Sequence, residues 1–341
     1  MTQETGRRLT WREALSVLLF FTLVSVAFTW PLVTHLNDTL PEWADAADSS
    51  WRIGSIAQQL RTDPLHLYQT RAFYPVANGL ALDELLTGQA ILAAPIIWLT
   101  GNLPLAFNLL NLLSYIGSGF AMWLLVRYLT GSSGAGLVAG LIFCISPWYY
   151  ELYQHLGLNA QFWMVFALYF LIRFLRGTAT PSPPGRGQWV NAGLFGFFAL
   201  LQALVAGYYS YFEAILFGLF LVYYALFEAG VGRWLWQRLR GRRDAVSNAP
   251  PHWRRLVWQF GTLAVVAIAL LMPGASFAQS SSTCQAYNPQ LCSSVSSNAT
   301  TTSSSSGTLP FTGLDVALLA IGGGTLLGAG LVVRRVSRRL D

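Results

Sequence analysis

The chain has 341 residues, 54% of them hydrophobic and 11% charged, with mean hydropathy +0.45 and a net charge of +6. A soluble domain carries about a quarter of its residues as charges, so this composition excludes an ordinary soluble fold, along with disordered, collagen-like and disulfide-stapled chains. All 21 basic residues are Arg and sit in short runs beside apolar segments, the distribution of a membrane topology signal rather than of a nucleic-acid-binding face.

Crossing about 30 Å of hydrocarbon takes about 17–25 apolar residues as a helix. Segments of that kind lie at about 14–33, 104–126, 134–150, 158–175, 189–206, 210–228, 256–273 and 314–333. The expected fold class is therefore an all-α polytopic membrane protein of about eight spans. A further apolar stretch, 85–99, is short and holds Gly88 and Pro95. Whether it crosses sets the orientation of everything after it, and the arginines decide. Arg7, Arg8 and Arg12 place the N-terminus in the cytoplasm. If 85–99 does not cross, then Arg127, the group Arg173, Arg176 and Arg186, the seven arginines of loop 229–255 and the four after residue 333 all fall inside as well. If it does cross, Arg127, Arg173 to Arg186 and the seven-Arg loop fall outside. The sequence thus predicts two cytoplasmic termini and a re-entrant or interfacial helix at 85–99, carried by a long external loop over 34–103.

The first part of that loop, 34–84, holds seven of the 15 acids in the chain: Asp38, Glu42, Asp45, Asp48, Asp63, Asp83 and Glu84. Long ordered loops beside membrane helices tend to be functional, although a solvated acidic face has the same composition. Glu213 lies near the outer end of the 210–228 span beside Tyr208, Tyr209 and Tyr211, and an acid at membrane depth is a functional candidate by default. Cys144 sits in an apolar run and reads as a small core residue. The chain changes character after residue 250. Residues 251–278 combine a basic flank, an apolar run and a small-x-small end, like a signal peptide placed internally. Residues 279–308 are dominated by Ser and Thr and read as a disordered external linker. Cys284 and Cys292 fall within it and would form a local disulfide in an oxidising exterior.

Residues 309–341 read LPFTG, an apolar run and an Arg-rich tail, which resembles the cell-wall sorting signal of Gram-positive sortase substrates. The resemblance implies that Leu309, Pro310, Phe311, Thr312 and Gly313 form the recognition motif, with sortase as a partner and cleavage between Thr312 and Gly313.

The body, 1–250, resembles the GT-C superfamily of membrane glycosyltransferases. Landmarks in order are Asp45 before Trp51, FYP at 73–75, Glu84 and Gly88, LTGN at 99–102, NLLNLLS at 108–114, SGFAMWLLVRYLTG at 118–131, GLVAGLIFCISP at 136–147 and HLGLNAQFW at 155–163. The resemblance covers about residues 30–230. It implies a sugar donor linked to polyprenyl phosphate, an external site at the membrane surface and a first-loop carboxylate as base. Asp45 fills that place best, with Asp48 one helical turn on and Glu84 as a further acid. Arg52, Arg71, Glu151, His155 and Gln161 are the expected substrate contacts. A divalent cation or Arg and His donors would stabilise the departing phosphate. Two functions remain open at this stage: a lipid-linked-sugar transferase, or a non-enzymatic surface protein anchored through LPFTG. Neither binds nucleic acid; both sit among membrane lipid.

Overall fold

The computed structural model describes residues 9–42, 44–70, 72, 75, 78–82, 84–146, 152–177, 185–228, 231–232, 259–261 and 263. Arg71, Glu151, Cys284, Cys292, the pentapeptide 309–313, the linker 279–308, the expected span 314–333 and all of the expected span 256–273 but residues 259–261 and 263 lie outside these residues. The described residues form helices and turns, with no strand among them.

Each long helix has a local reason for its limits. Helix α1 (Trp11–Phe28) begins where Thr10 accepts a hydrogen bond from the Glu13 amide at 3.2 Å, and its apolar run ends at Thr29. Helix α2 (Asp45–Thr62) follows in the first loop, then α3 (Thr87–Thr100), which stops at Gly101 in the left-handed region (φ +67°). Helix α4 (Leu103–Thr130) is capped by the Asn102 side chain and ends at Gly131 with φ +75°. At about 1.5 Å per residue its 28 residues run about 42 Å, more than the bilayer core needs. Only two residues separate it from α5 (Ser133–Cys144), so the pair forms a tight hairpin. Glycines allow the close packing. A Cβ at Gly136 would strike the Trp123 backbone oxygen at 2.8 Å, and one at Gly140 would run into the Phe21 ring and the Gly119 carbonyl. Next come the short α6 (Leu156–Asn159), α7 (Phe162–Gly177), α8 (Arg186–Ala203) and α9 (Gly207–Tyr223), the last extended by a π-type turn over Tyr224–Glu228.

Four segments are long and apolar enough to cross a membrane: Trp11–Phe28, Leu103–Thr130, Leu156–Gly177 and Gly207–Glu228. They match the expected spans at 14–33, 104–126, 158–175 and 210–228. Within the expected span at 134–150, the described residues carry the 12-residue α5, about 18 Å of helix, and residues 147–150 lie outside the described residues. The expected span at 189–206 appears as α8, which starts earlier, at Arg186, and so takes polar residues into its first turn.

Side-chain contacts sort the helix ends into two sets. In one, Asn102 Nδ2 donates to Asn37 O at 2.9 Å, and Asn108 Nδ2 donates to Leu36 O and Thr39 O at 3.0 and 2.8 Å. Asn111 Nδ2 donates to Tyr153 O at 2.6 Å, and Met164 N donates to Gln202 Oε1 at 3.0 Å. In the other, Arg127 binds Glu13, and the Tyr128 and Tyr169 rings meet edge to face at 5.4 Å. Helices α4 and α7 therefore run from the first set to the second, and α1 and α8 run the opposite way. Helix α3 does neither. Just before it Leu86 N donates to Val205 O, and just after it Asn102 reaches Asn37. Both its ends belong to the first set, so α3 runs along that end of the bundle.

Candidate functional site

The first set of helix ends, here the polar end, gathers irregular backbone that needs partners, because an unmet carbonyl or amide at membrane depth costs several kcal/mol, on the order of a lost hydrogen bond or more. Buried asparagines of α4 supply many of them. Asn108 and Asn111 are at most 1% exposed, and besides the bonds given above, Asn111 Oδ1 accepts from Asn159 Nδ2 at 3.3 Å. Tyr153 OH closes the loop against Pro41 O at 2.9 Å. The first-loop segment 36–45 is thereby fixed against residues 152–159.

This arrangement brings Asp45 to His155. Asp45 Oδ2 lies 3.4 Å from His155 Nε2, and both side chains keep access to solvent. Asp45 is the first residue of α2, with Glu42 three residues before it. Glu42 Oε2 accepts from the Asp45 amide at 2.7 Å. The Ala44 amide, and then those of Asp45 and Ala46, hold the Glu42 carboxyl below the usual carboxylate range, with a smaller pull from His155. The helix start is therefore capped by Glu42, which leaves Asp45 and Asp48 in the first turn without capping duty.

Asp48 takes a different partner. Arg52 Nε donates to Asp48 Oδ2 one turn along α2, and the Arg52 residue is only 4% exposed. Arg52 is thus a buried ion-pair residue bound to α2 itself.

Glu84 lies on the far side of α6. Its Oε1 accepts from Tyr208 OH at 3.0 Å. Its Oε2 sits where a Cβ on residue 157 would be, so Gly157 is what lets the carboxylate lie against the α6 backbone. Two residues later Leu86 adopts φ +46°, a left-handed conformation costly for a branched side chain. Its complete burial and its amide bond to Val205 O at 2.9 Å hold it there. Gln161 Nε2 donates to Leu158 O at 3.1 Å, and Tyr209 OH donates to the same carbonyl at 2.6 Å.

The short α6 is therefore the organiser: His155 before it meets Asp45, Gly157 within it meets Glu84, and Gln161 just after it shares the Leu158 carbonyl with Tyr209. The structure brings Asp45 and His155 together, ties Asp48 to Arg52, and places Glu84 and Gln161 with tyrosines of α9. Sequence reasoning missed Glu42, Gly157, Asn111 and the role of Tyr208. Paired asparagines in an apolar run were the readable signal for Asn111; nothing local marks Gly157. Among the described residues, no group of three or more His, Cys, Asp or Glu side chains is placed to hold a metal ion. The chemistry available is that of a solvent-accessible carboxylate beside an imidazole, with a second carboxylate bonded to a phenol. Comparison with protein-family models, curated proteins and solved structures gives no match to this chain.

Proposed function

We propose that the chain is an eight-span membrane protein with both termini in the cytoplasm, and that its polar end transfers a sugar from a polyprenyl-phosphate carrier to an acceptor on the external face. The observation that carries the reading is the Asp45–His155 contact. It joins a carboxylate just after the first span to an imidazole beside the third long apolar segment, at the end of the bundle where α3 lies flat. A lipid-linked donor presents its phosphate at headgroup depth, so an exposed carboxylate at a helix end is placed to reach the reacting atoms. In this scheme Asp45 takes the proton of the acceptor hydroxyl as the oxygen–C1 bond forms. The C1–O bond to phosphate breaks, and the electron pair leaves with the polyprenyl phosphate. His155 orients Asp45, and Glu84 with Tyr208 lines the other side of α6.

The test is transfer of radiolabelled hexoses from polyprenyl-phosphate donors in membranes containing the full chain. Asp45→Asn keeps size and hydrogen bonding but removes basicity, and loss of a general base lowers turnover about 10²–10⁴-fold. Unchanged turnover in the variant removes Asp45 from the chemistry. Absence of transfer by the wild-type chain across the donor panel favours the anchored surface protein, whose LPFTG tail is the competing sequence feature.

A further inference from the structure

The second set of helix ends carries a site that the sugar-transfer reading does not use. Four arginines of the described residues lie in contact with aromatic rings there, and they are treated differently. Arg127 is neutralised: its Nε and Nη2 donate to the two Glu13 oxygens at 2.8 Å each. Arg12 lies 5.5 Å from the centre of the Trp11 ring on its own helix. Arg173 and Arg176, in the last turns of α7, have no carboxylate partner among the described residues. They rest instead on one aromatic pair. The Tyr128 ring of α4 and the Tyr169 ring of α7 meet edge to face, with centroids 5.4 Å apart and planes at 80°. The Arg176 guanidinium carbon is 5.3 Å from the Tyr128 centroid, and that of Arg173 is 5.4 Å from Tyr169 and 6.0 Å from Phe170. Arg173 Nη1 also donates to Tyr169 OH at 3.2 Å.

We propose that Arg173 and Arg176, held on the Tyr128–Tyr169 ring pair, bind the phosphate of an anionic phospholipid headgroup. Ring faces attract a guanidinium without neutralising it and leave N–H donors of its planar fork available, the geometry that suits a phosphate. Two such cations share one platform, which gives a local charge of two at the edge of an apolar helix pair. The position selects lipid over a soluble ligand. Both arginines close the apolar α7, where long cationic side chains meet headgroups. The inference needs the bundle to be in a bilayer but does not need the sugar-transfer chemistry.

Native mass spectrometry of the full chain tests it, after delipidation in detergent and titration with phosphatidylglycerol or phosphatidylcholine. The wild-type chain is expected to retain phosphatidylglycerol over phosphatidylcholine. Each arginine contributes about a fivefold gain in affinity, so the double variant Arg173→Gln, Arg176→Gln loses about 25-fold. Arg12→Gln, which leaves the ring pair intact, retains the lipid as the wild-type chain does. Should the double variant misfold, Tyr128→Leu decides: it keeps both charges, removes the platform under Arg176, and lowers retention severalfold. Equal retention of both lipids overturns the proposal, as does undiminished phosphatidylglycerol binding in the double variant, or in Tyr128→Leu where that variant decides. Displacement of the lipid by millimolar inorganic phosphate assigns the site to a soluble anion instead and also overturns it.

Discussion

The two ends of the helix bundle solve different problems with different residues. At the polar end, amide and hydroxyl side chains hold irregular backbone: Asn102, Asn108 and Asn111 all donate to loop carbonyls, and Tyr153 and Tyr209 do the same from the other side. At the basic end, among the described residues, Gln188 Nε2 donates to the Gly177 carbonyl at 2.9 Å. Rings and guanidiniums meet there, and one carboxylate, Glu13, settles one arginine. The first arrangement fixes loops in a single geometry, which a site built from loop residues requires. The second leaves positive charge exposed at a helix boundary, which a membrane surface can use. On the proposed reading, chemistry at Asp45 uses the end where backbone is pinned, and charge-driven contact uses the other.

The comparison breaks most completely if the ends face the wrong compartments. With Cys284 and Cys292 replaced by Ser, Thr62→Cys at the polar end should react with an impermeant maleimide in intact cells, and Thr180→Cys should react only after permeabilisation. The contrast is all or none. Labelling of Thr180→Cys from outside would reverse the orientation drawn from the arginines and would place Asp45 in the cytoplasm, away from an external donor.

A smaller effect sharpens the contrast within the basic end. Arg127 and Glu13 side chains are 12% and 24% exposed, and each leaves the other short of a partner if removed. Arg127→Gln should cost about 2–3 kcal/mol, below the full range for a buried pair because some solvent reaches both groups. Arg176→Gln should change stability by less than about 0.5 kcal/mol, since no carboxylate among the described residues pairs with it. Thermal unfolding in a fixed detergent compares the two, and the double change Glu13→Gln, Arg127→Gln should recover part of the loss. Equal effects of the two arginine variants would mean that both are structural and would remove the reason for treating Arg176 as a binding residue.

Much of the helix layout is legible in the sequence because apolar length is a one-dimensional signal. The runs around residues 20, 115, 165 and 220 gave their helices directly, and the shortness of 85–99 with Pro95 suited a helix that stays at one end. The end of α5 at Cys144 was not legible: Ile145 is as apolar as the residues before it, and composition does not tell where a helix stops. In the site, Asp45 and His155 were legible as chemical types but not as neighbours, because their contact depends on Asn111 and Tyr153 fixing two loops about 110 residues apart. Asp48 and Arg52 were legible as opposite charges one turn apart, but the burial of Arg52 was not. Gly157 carried no signal at all, since its importance lies in the space that Glu84 occupies.

The smallest expected effect concerns how the polar end holds Asp45. Glu42 accepts the Asp45 amide, and the Ala44 amide is the largest influence keeping its carboxyl below the ordinary range. A group whose folded pKa is depressed contributes stability above its unfolded pKa and loses that contribution as pH falls through the folded value. The start of α2 should therefore stay ordered at neutral pH and loosen only under acid, below the ordinary carboxylate range. Hydrogen exchange at the amides of residues 44–46 reads this locally, where a global melting curve would barely move because Glu42 is solvated. In the wild-type chain protection at these amides should fall as the medium is acidified, beyond the intrinsic change in exchange rate. In Glu42→Gln it should be lower at neutral pH and should no longer respond to acid. Protection that is the same in both proteins at every pH would show that α2 starts without Glu42, and that the position of Asp45 is set by the asparagine-pinned loop alone.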